Sequence, residues 1–257
     1  MVQKIPARGE RSVIAIERPS ETIALLRIDD PATENRLSES LCTAFEEAVA
    51  GLAREKELRV LLLGGSPRVF CAGATIENLR RIAGGEFDVK DLATARCILE
   101  FPVPVVAAVE GHAVGGGLLL AACCDITVAS ESSRYGVNFT ELGFTPGMGA
   151  TALLPALLGP QFAAEMMYTA KFYKGRELKH RGLFTHIVPA AEVMPLARDI
   201  AERIAVKPRH VLELLKETLA LPRRAAVDSA VARESVMHRI CFARPETAAI
   251  IEEGYDF

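Results

Sequence analysis

The stretch Val103-Pro104-Val105-Val106-Ala107-Ala108-Val109-Glu110-Gly111-His112-Ala113-Val114-Gly115-Gly116-Gly117-Leu118-Leu119-Leu120 decides the fold. Val103 to Val109 is a short apolar, β-branched run without polar alternation, which marks a strand buried on both faces, and such strands belong to parallel sheets. A glycine-rich turn closes it, and Leu118 to Cys124 continues with helical character. The same order occurs upstream, where Leu58 to Leu63 is a continuous apolar run stopped by Gly64-Gly65, and Asp125 to Ala129 downstream reads as another short strand. Strands alternating with helices imply right-handed crossovers between parallel strands, and therefore an α/β fold.

Outward from that centre the periods change. Ser12 to Glu17 and Thr22 to Ile28 alternate with period two around the turn-forming Arg18-Pro19-Ser20-Glu21, so they are expected to pair as a hairpin. Pro31 to Leu37 reads as a polar loop, and Ser38 suits a helix N-cap, with Leu41, Phe45, Ala48, Val49 and Leu52 following at helical spacing. From about Ala190 the signal is helical, punctuated by Pro208, Pro222 and Pro245, with no convincing strand. The expected organisation is a core over residues 1–195 and a helical region over 196–257 that completes the active site and docks a neighbouring subunit.

Composition narrows the class. Of 257 residues half are hydrophobic and a quarter charged, enough for a sizeable buried core. Lys and Arg number 30 against 33 Asp and Glu, a net charge of −3, so nothing electrostatic recommends nucleic acid or an anionic membrane as a partner. The N-terminal residues 1–12 lack the apolar run of a secretory signal, and no apolar stretch approaches the roughly 18 residues that span a bilayer. A soluble, cytoplasmic protein is expected. Six cysteines without a C-x-x-C pair read as buried reduced thiols. No histidine shows ligand-like spacing with cysteines or acids, so no metal is expected. Nor is any other cofactor: Gly111-His112-Ala113-Val114-Gly115-Gly116-Gly117 is not the dinucleotide pattern G-x-G-x-x-G, and no acid follows it by about 20 residues.

Two glycine-rich strand ends are the candidates for chemistry, Val69-Phe70-Cys71-Ala72-Gly73-Ala74 and Gly111 to Gly117. Each opens toward a helix, where first-turn N–H groups lack intrahelical acceptors and the dipole favours negative charge. Two such amides converging on one point make an oxyanion hole; tight strand-to-helix packing that needs small residues is the alternative.

Together these segments resemble the crotonase, or enoyl-CoA hydratase, superfamily. Asn35-Arg36-Leu37-Ser38 is similar to its N-x-L-S loop, Phe70 to Ala74 to its first oxyanion segment, Gly111 to Gly117 with Cys124-Asp125 to its second, and Leu142-Gly143-Phe144-Thr145-Pro146-Gly147 to its L-G-x-x-P-G turn. The resemblance implies a spiral of ββα turns with a helical C-terminal region, trimers or hexamers, and acyl thioesters of CoA or an acyl carrier protein as substrates. By position it assigns the oxyanion amides to Ala74 and Gly116. Hydratases of this superfamily place two glutamates where this chain has Leu119 and Phe139, so the pair that orients and deprotonates water is missing. Glu141 is expected to be surface or structural.

The run from Asn138 to Thr151 resembles more narrowly the decarboxylating crotonases of polyketide β-branching, as do Tyr173 to Leu178 and Arg233 to His238. That likeness implies loss of CO2 from a carrier-bound 3-methylglutaconyl thioester to leave a 3-methylcrotonyl group, with His238 as the acid. A double-bond isomerase and a non-catalytic crotonase that binds acyl carriers are the other readings. Glu234, four residues before His238, either holds the imidazolium or forms an exposed helical pair. The subfamily's usual lysine, sometimes accompanied by a tyrosine, is missing, since Asn78, Ile82 and Asp88 occupy the positions where they would stand; Asn78 and Ile82 are expected to line the substrate pocket with Leu119 and Phe139. Lys90, Arg80 and Arg81 are the nearby cations, reaching the substrate carboxylate or solvated on the surface. Arg134-Tyr135 reads as a surface pair, and His112 as a packing or backbone-bonded residue.

Overall fold

The computed structural model describes residues 2–5, 13–86 and 94–253. Its strands are β1 (Val2–Ile5), β2 (Ile14–Ser20), β3 (Ile23–Ile28), β4 (Val60–Gly64), β5 (Val69–Cys71), β6 (Val105–Val109), β7 (His112–Val114), β8 (Ile126–Ser130), β9 (Arg134–Gly136), β10 (Tyr173–Lys174) and β11 (His186–Val188). Its helices are α1 (Glu39–Ala53), α2 (Ile76–Ala83), α3 (Arg96–Leu99), α4 (Gly116–Ala122), α5 (Ala150–Leu158), α6 (Pro160–Thr169), α7 (Ala190–Ala205), α8 (Arg209–Phe242) and α9 (Pro245–Glu253).

Seven strands form one sheet in the order β1-β2-β3-β4-β6-β8-β11, and four form a second in the order β10-β9-β7-β5. The hairpin pairs antiparallel, and β3, β4, β6, β8 and β11 run parallel. Each repeat sends one strand to the large sheet, the next to the small sheet, and then a helix across: β4-β5-α2, β6-β7-α4, β8-β9-α5. This is the ββα spiral. The second strand of each repeat was not visible in sequence, because three residues hold too little pattern to separate a strand from a loop.

The unbroken apolar runs follow from burial on both faces. Leu61, Leu63, Val105, Ala107 and Val109 join the main core with α1, whereas Val60, Leu62, Val106, Ala108 and Val128 pack against Val193, Ala197, Ala201 and Ala205 of α7. Residue 195 therefore falls inside a helix whose inner face packs on the large sheet from end to end. Ser38 caps α1, accepting from the Leu41 amide at 3.1 Å. Pro208 precedes α8 and Pro245 starts α9, but Pro222 lies within α8 without ending it. All six cysteines are free thiols, four of them buried.

The Arg134-Tyr135 surface pair is a correction. Tyr135 is fully buried: its hydroxyl accepts from the Ser130 amide at 2.9 Å and lies 3.0 and 3.1 Å from the Ser130 and Val109 carbonyls. Only Arg134 of that pair is at the surface. His112 accepts through Nδ1 from the Arg134 amide at 3.0 Å, a backbone-bonded role. Among the described residues no helix is long and apolar enough to cross a membrane.

Candidate active site

The site is built where the two sheets pass chain to helices. After β5 the backbone turns through Gly73, at φ +82°, into Ala74 and then Thr75, whose hydroxyl accepts from the Asn78 amide at 3.2 Å to cap α2. After β7 it turns through Gly115, at φ +52°, into Gly116, the first residue of α4. The two turns abut: a Cβ on Gly73 would lie 3.1 Å from the Val114 carbonyl oxygen and 3.9 Å from the Gly116 nitrogen. Gly117 packs so closely on the Cys71 backbone that a Cβ there would overlap the Cys71 carbonyl. Tight packing and converging turns are thus one feature, since the small residues let the two helix starts approach.

The N-x-L-S loop locks this arrangement. Asn35, at φ +55°, donates its side-chain amide to the Val69 and Phe70 carbonyls at 2.9 and 3.2 Å and accepts from the Asp30 amide at 2.8 Å. The Leu37 amide donates to the Gly73 carbonyl at 2.7 Å, and the Leu37 carbonyl accepts from Asn78 Nδ2 at 2.7 Å.

One cavity gathers Ala74, Asn78, Ile82, Gly116, Phe139 and His238. Its wall also takes in Leu37, Leu79, Asn138, Leu142, Phe144, Gly147, Met148 and Phe242, which the sequence reading did not single out as site residues. Phe242 had a signal, standing one helical turn beyond His238; the others become cavity residues only through packing. No described residue of this wall is an Asp, Glu, Lys or Arg.

Leu119 is a correction: it is fully buried in the main core and does not line the cavity. Every residue of α4 is buried, so the helix is enclosed on all sides and only its start, at Gly115 and Gly116, meets the cavity.

His238 comes from α8 and is 3% exposed. Its Nε2 lies 2.6 Å from the Thr145 carbonyl oxygen. A carbonyl can only accept, so Nε2 carries a proton. Phe144 and Phe242 flank the ring with centroids 5.6 Å away, and Phe139 stands 5.8 Å from Phe144. The proton-bearing group therefore sits in an aromatic surround.

Glu234 corrects the exposed-pair alternative, being completely buried. Its carboxylate accepts from the Gly149 amide at 2.8 Å, the Thr151 amide at 2.9 Å and the Thr151 hydroxyl at 2.7 Å. Arg80 forms a bidentate pair with Glu252 at 2.8 Å, and Arg81 pairs with Glu39 and Glu86; neither lines the cavity. Lys90 and Asp88 lie outside the described residues. Glu141 is exposed. Among the described residues no cluster of His, Cys, Asp and Glu is arranged to hold a metal.

The family model for enoyl-CoA hydratase/isomerase matches residues 18–255. The chain belongs to that family. It is 32% identical to the bacillaene synthase decarboxylase PksI of Bacillus subtilis, over 95% of this chain and 98% of that protein. It is also 32% identical to the ECH2 decarboxylase domain of CurF from Lyngbya majuscula, with a TM-score of 0.87 over 95% of this chain and 99% of that one. A structure from a dehydratase/decarboxylase couple of polyketide β-branching is 31% identical, with a TM-score of 0.93 over 99% of this chain and all of its own. Hydratases of the family match at similar identity, so identity alone does not separate the chemistries. What the cavity itself shows is that its described wall carries no carboxylate to activate water.

Proposed function

We propose that this enzyme decarboxylates a 3-methylglutaconyl thioester, carried on an acyl carrier protein or CoA, to a 3-methylcrotonyl thioester. The observation that carries this reading is the cavity, which is lined by both glycine turns, at Ala74 and at Gly116, and in which His238 is the only titratable side chain among the described lining residues. The substrate carboxylate leaves as CO2 when its bond to the γ-carbon breaks. The electron pair spreads through the double bond onto the thioester oxygen, and the amides of Ala74 and Gly116 stabilise that charge. His238, as the imidazolium, then gives one proton to the γ-carbon and is left as the neutral ring. No base is needed, and the phenyl rings keep water from adding to the product.

Mass spectrometry of the acylated carrier tests this. A mass loss equal to one CO2 on mixing supports it, and an unchanged mass with 3-methylglutaconyl carriers and CoA esters overturns it. Deuterium entering an uncarboxylated enoyl substrate without any loss of CO2 would instead make the enzyme an isomerase. Turnover of any acyl group argues against a purely binding role.

We propose that the C-terminal region expected over residues 196–257, whose helix α8 brings His238 and Phe242 to the cavity wall, also joins subunits. Leu214, Leu219 and Leu221 on the first half of α8 are each at least 60% exposed, which suits a homotrimer or hexamer. Light scattering that returned a monomer at micromolar concentration would overturn this.

A further inference from the structure

We propose that Glu234 is a positioning residue for the reaction: it pins α8 to the turn between Gly147 and Thr151 and thereby sets His238 relative to the Gly116 amide. The inference rests on the site being the decarboxylase site proposed above, but the anchor is defined by geometry alone. Met148 and Gly149 adopt left-handed backbone, with φ of +58° and +81°, immediately before α5 begins at Ala150. First-turn amides have no intrahelical acceptor. Here the buried carboxylate from α8 takes the donors of Gly149 and Thr151, three hydrogen bonds in all. A buried anion satisfied by three donors holds its distance more tightly than a solvated pair, because any movement strands charge and amides together without water.

One helical turn further along α8, His238 Nε2 donates to the Thr145 carbonyl at 2.6 Å. The helix thus grips one segment at two points, before and after Gly147 and Met148, which line the cavity. Met148 in turn bears on the oxyanion glycine: a Cβ on Gly116 would lie 2.7 Å from the Met148 sulfur. Contacts therefore run from Glu234 through Gly149 and Met148 to Gly116, and along α8 from Glu234 to His238. Acid and oxyanion amide share one anchor.

The test uses Glu234→Gln and Thr151→Val in the full chain, with imidazole 15N NMR of His238 alongside kcat and KM. In the wild type Nε2 should stay protonated in the imidazolium and in the neutral ring alike, so that the neutral ring is a single tautomer. Both variants should show a mixed signal; kcat should fall about tenfold for Glu234→Gln and less for Thr151→Val, while KM stays within about twofold, as expected when the acid is displaced rather than the substrate released. If the imidazole signals and kcat are unchanged and only the thermal midpoint falls, Glu234 is a helix cap and the proposal fails. If Glu234→Gln does not fold, Thr151→Val decides, since it removes one side-chain donor and keeps the backbone bonds. A wild type without decarboxylase activity would sink the functional reading, yet the NMR comparison would still stand or fall by itself.

Discussion

In the proposed reaction His238 is the residue on which the chemistry turns, because it is the only titratable side chain among the described residues of the cavity wall. His238→Ala should lower formation of the decarboxylated product by about two orders of magnitude or more, the scale of a lost general acid. Its circular dichroism should match the wild type, and wild-type turnover would remove His238 from the mechanism. Phe139 argues from the opposite side. Its ring lines the cavity near the Phe144 and His238 pair, so Phe139→Glu would set an unpaired carboxylate against the carboxylated substrate. Steady-state kinetics should then show kcat/KM reduced by at least about tenfold, equivalent to about 1.4 kcal/mol. An unchanged value would mean that the side chain at 139 does not face the substrate.

At the scale of elements, α8 is held to the core by Asp125, the acidic residue that follows Cys124 in the second motif. Asp125 accepts from Lys216 Nζ at 2.6 Å, from an Arg223 nitrogen at 2.5 Å and from the Val105 amide at 2.8 Å. Arg223 also donates to the Cys124 carbonyl at 3.0 Å. Lys216 is almost fully buried, so removing its counter-charge strands an ammonium where water does not reach. Asp125→Asn should cost about 3 kcal/mol in urea unfolding, and Lys216→Met added to it should recover part of that loss. A double variant less stable than the single one would show that the pair is not the fastening. Because α8 also carries Glu234 and His238, this attachment links fold stability to the site.

For the whole molecule, the buried thiols make alkaline pH the vulnerable side. Burial pushes Cys71 and Cys123 from 9.0 up to about 12, and raises Cys42 and Cys124 as well. The unfolded chain gives up these protons near pH 9 while the folded chain keeps them, so the stability they contribute is present below pH 9 and is lost as pH rises toward 12. Lys216 works in the opposite sense: burial lowers it from 10.5, and stability rises with pH between the lowered value and 10.5. One group opposes several, so urea midpoints should fall steadily above pH 9. Cys71→Ala should flatten that fall whatever it does to stability at neutral pH. An identical slope would show that the Cys71 thiol does not titrate on unfolding.

The sequence by itself determined the α/β architecture, the Ser38 cap, the helical tail and the places where glycine turns end strands. These depend on local period and turn chemistry, which neighbouring residues carry among themselves. The outlines of the site were legible for the same reason, since the motifs around Ala74, Gly116 and His238 are short and local. What only the tertiary structure decided was direction. Leu119 sits three residues beyond Gly116, but α4 is buried on every side and has no polar face from which its cavity side could be read. Glu234 shares a helix with His238, and its spacing fits a surface pair as well as a buried anchor; its partners Gly149 and Thr151 lie more than 80 residues away in sequence. Arg80 meets Glu252 across 172 residues. Contacts at such separation leave no local period, because they are set when α2, α5, α8 and α9 pack against one another.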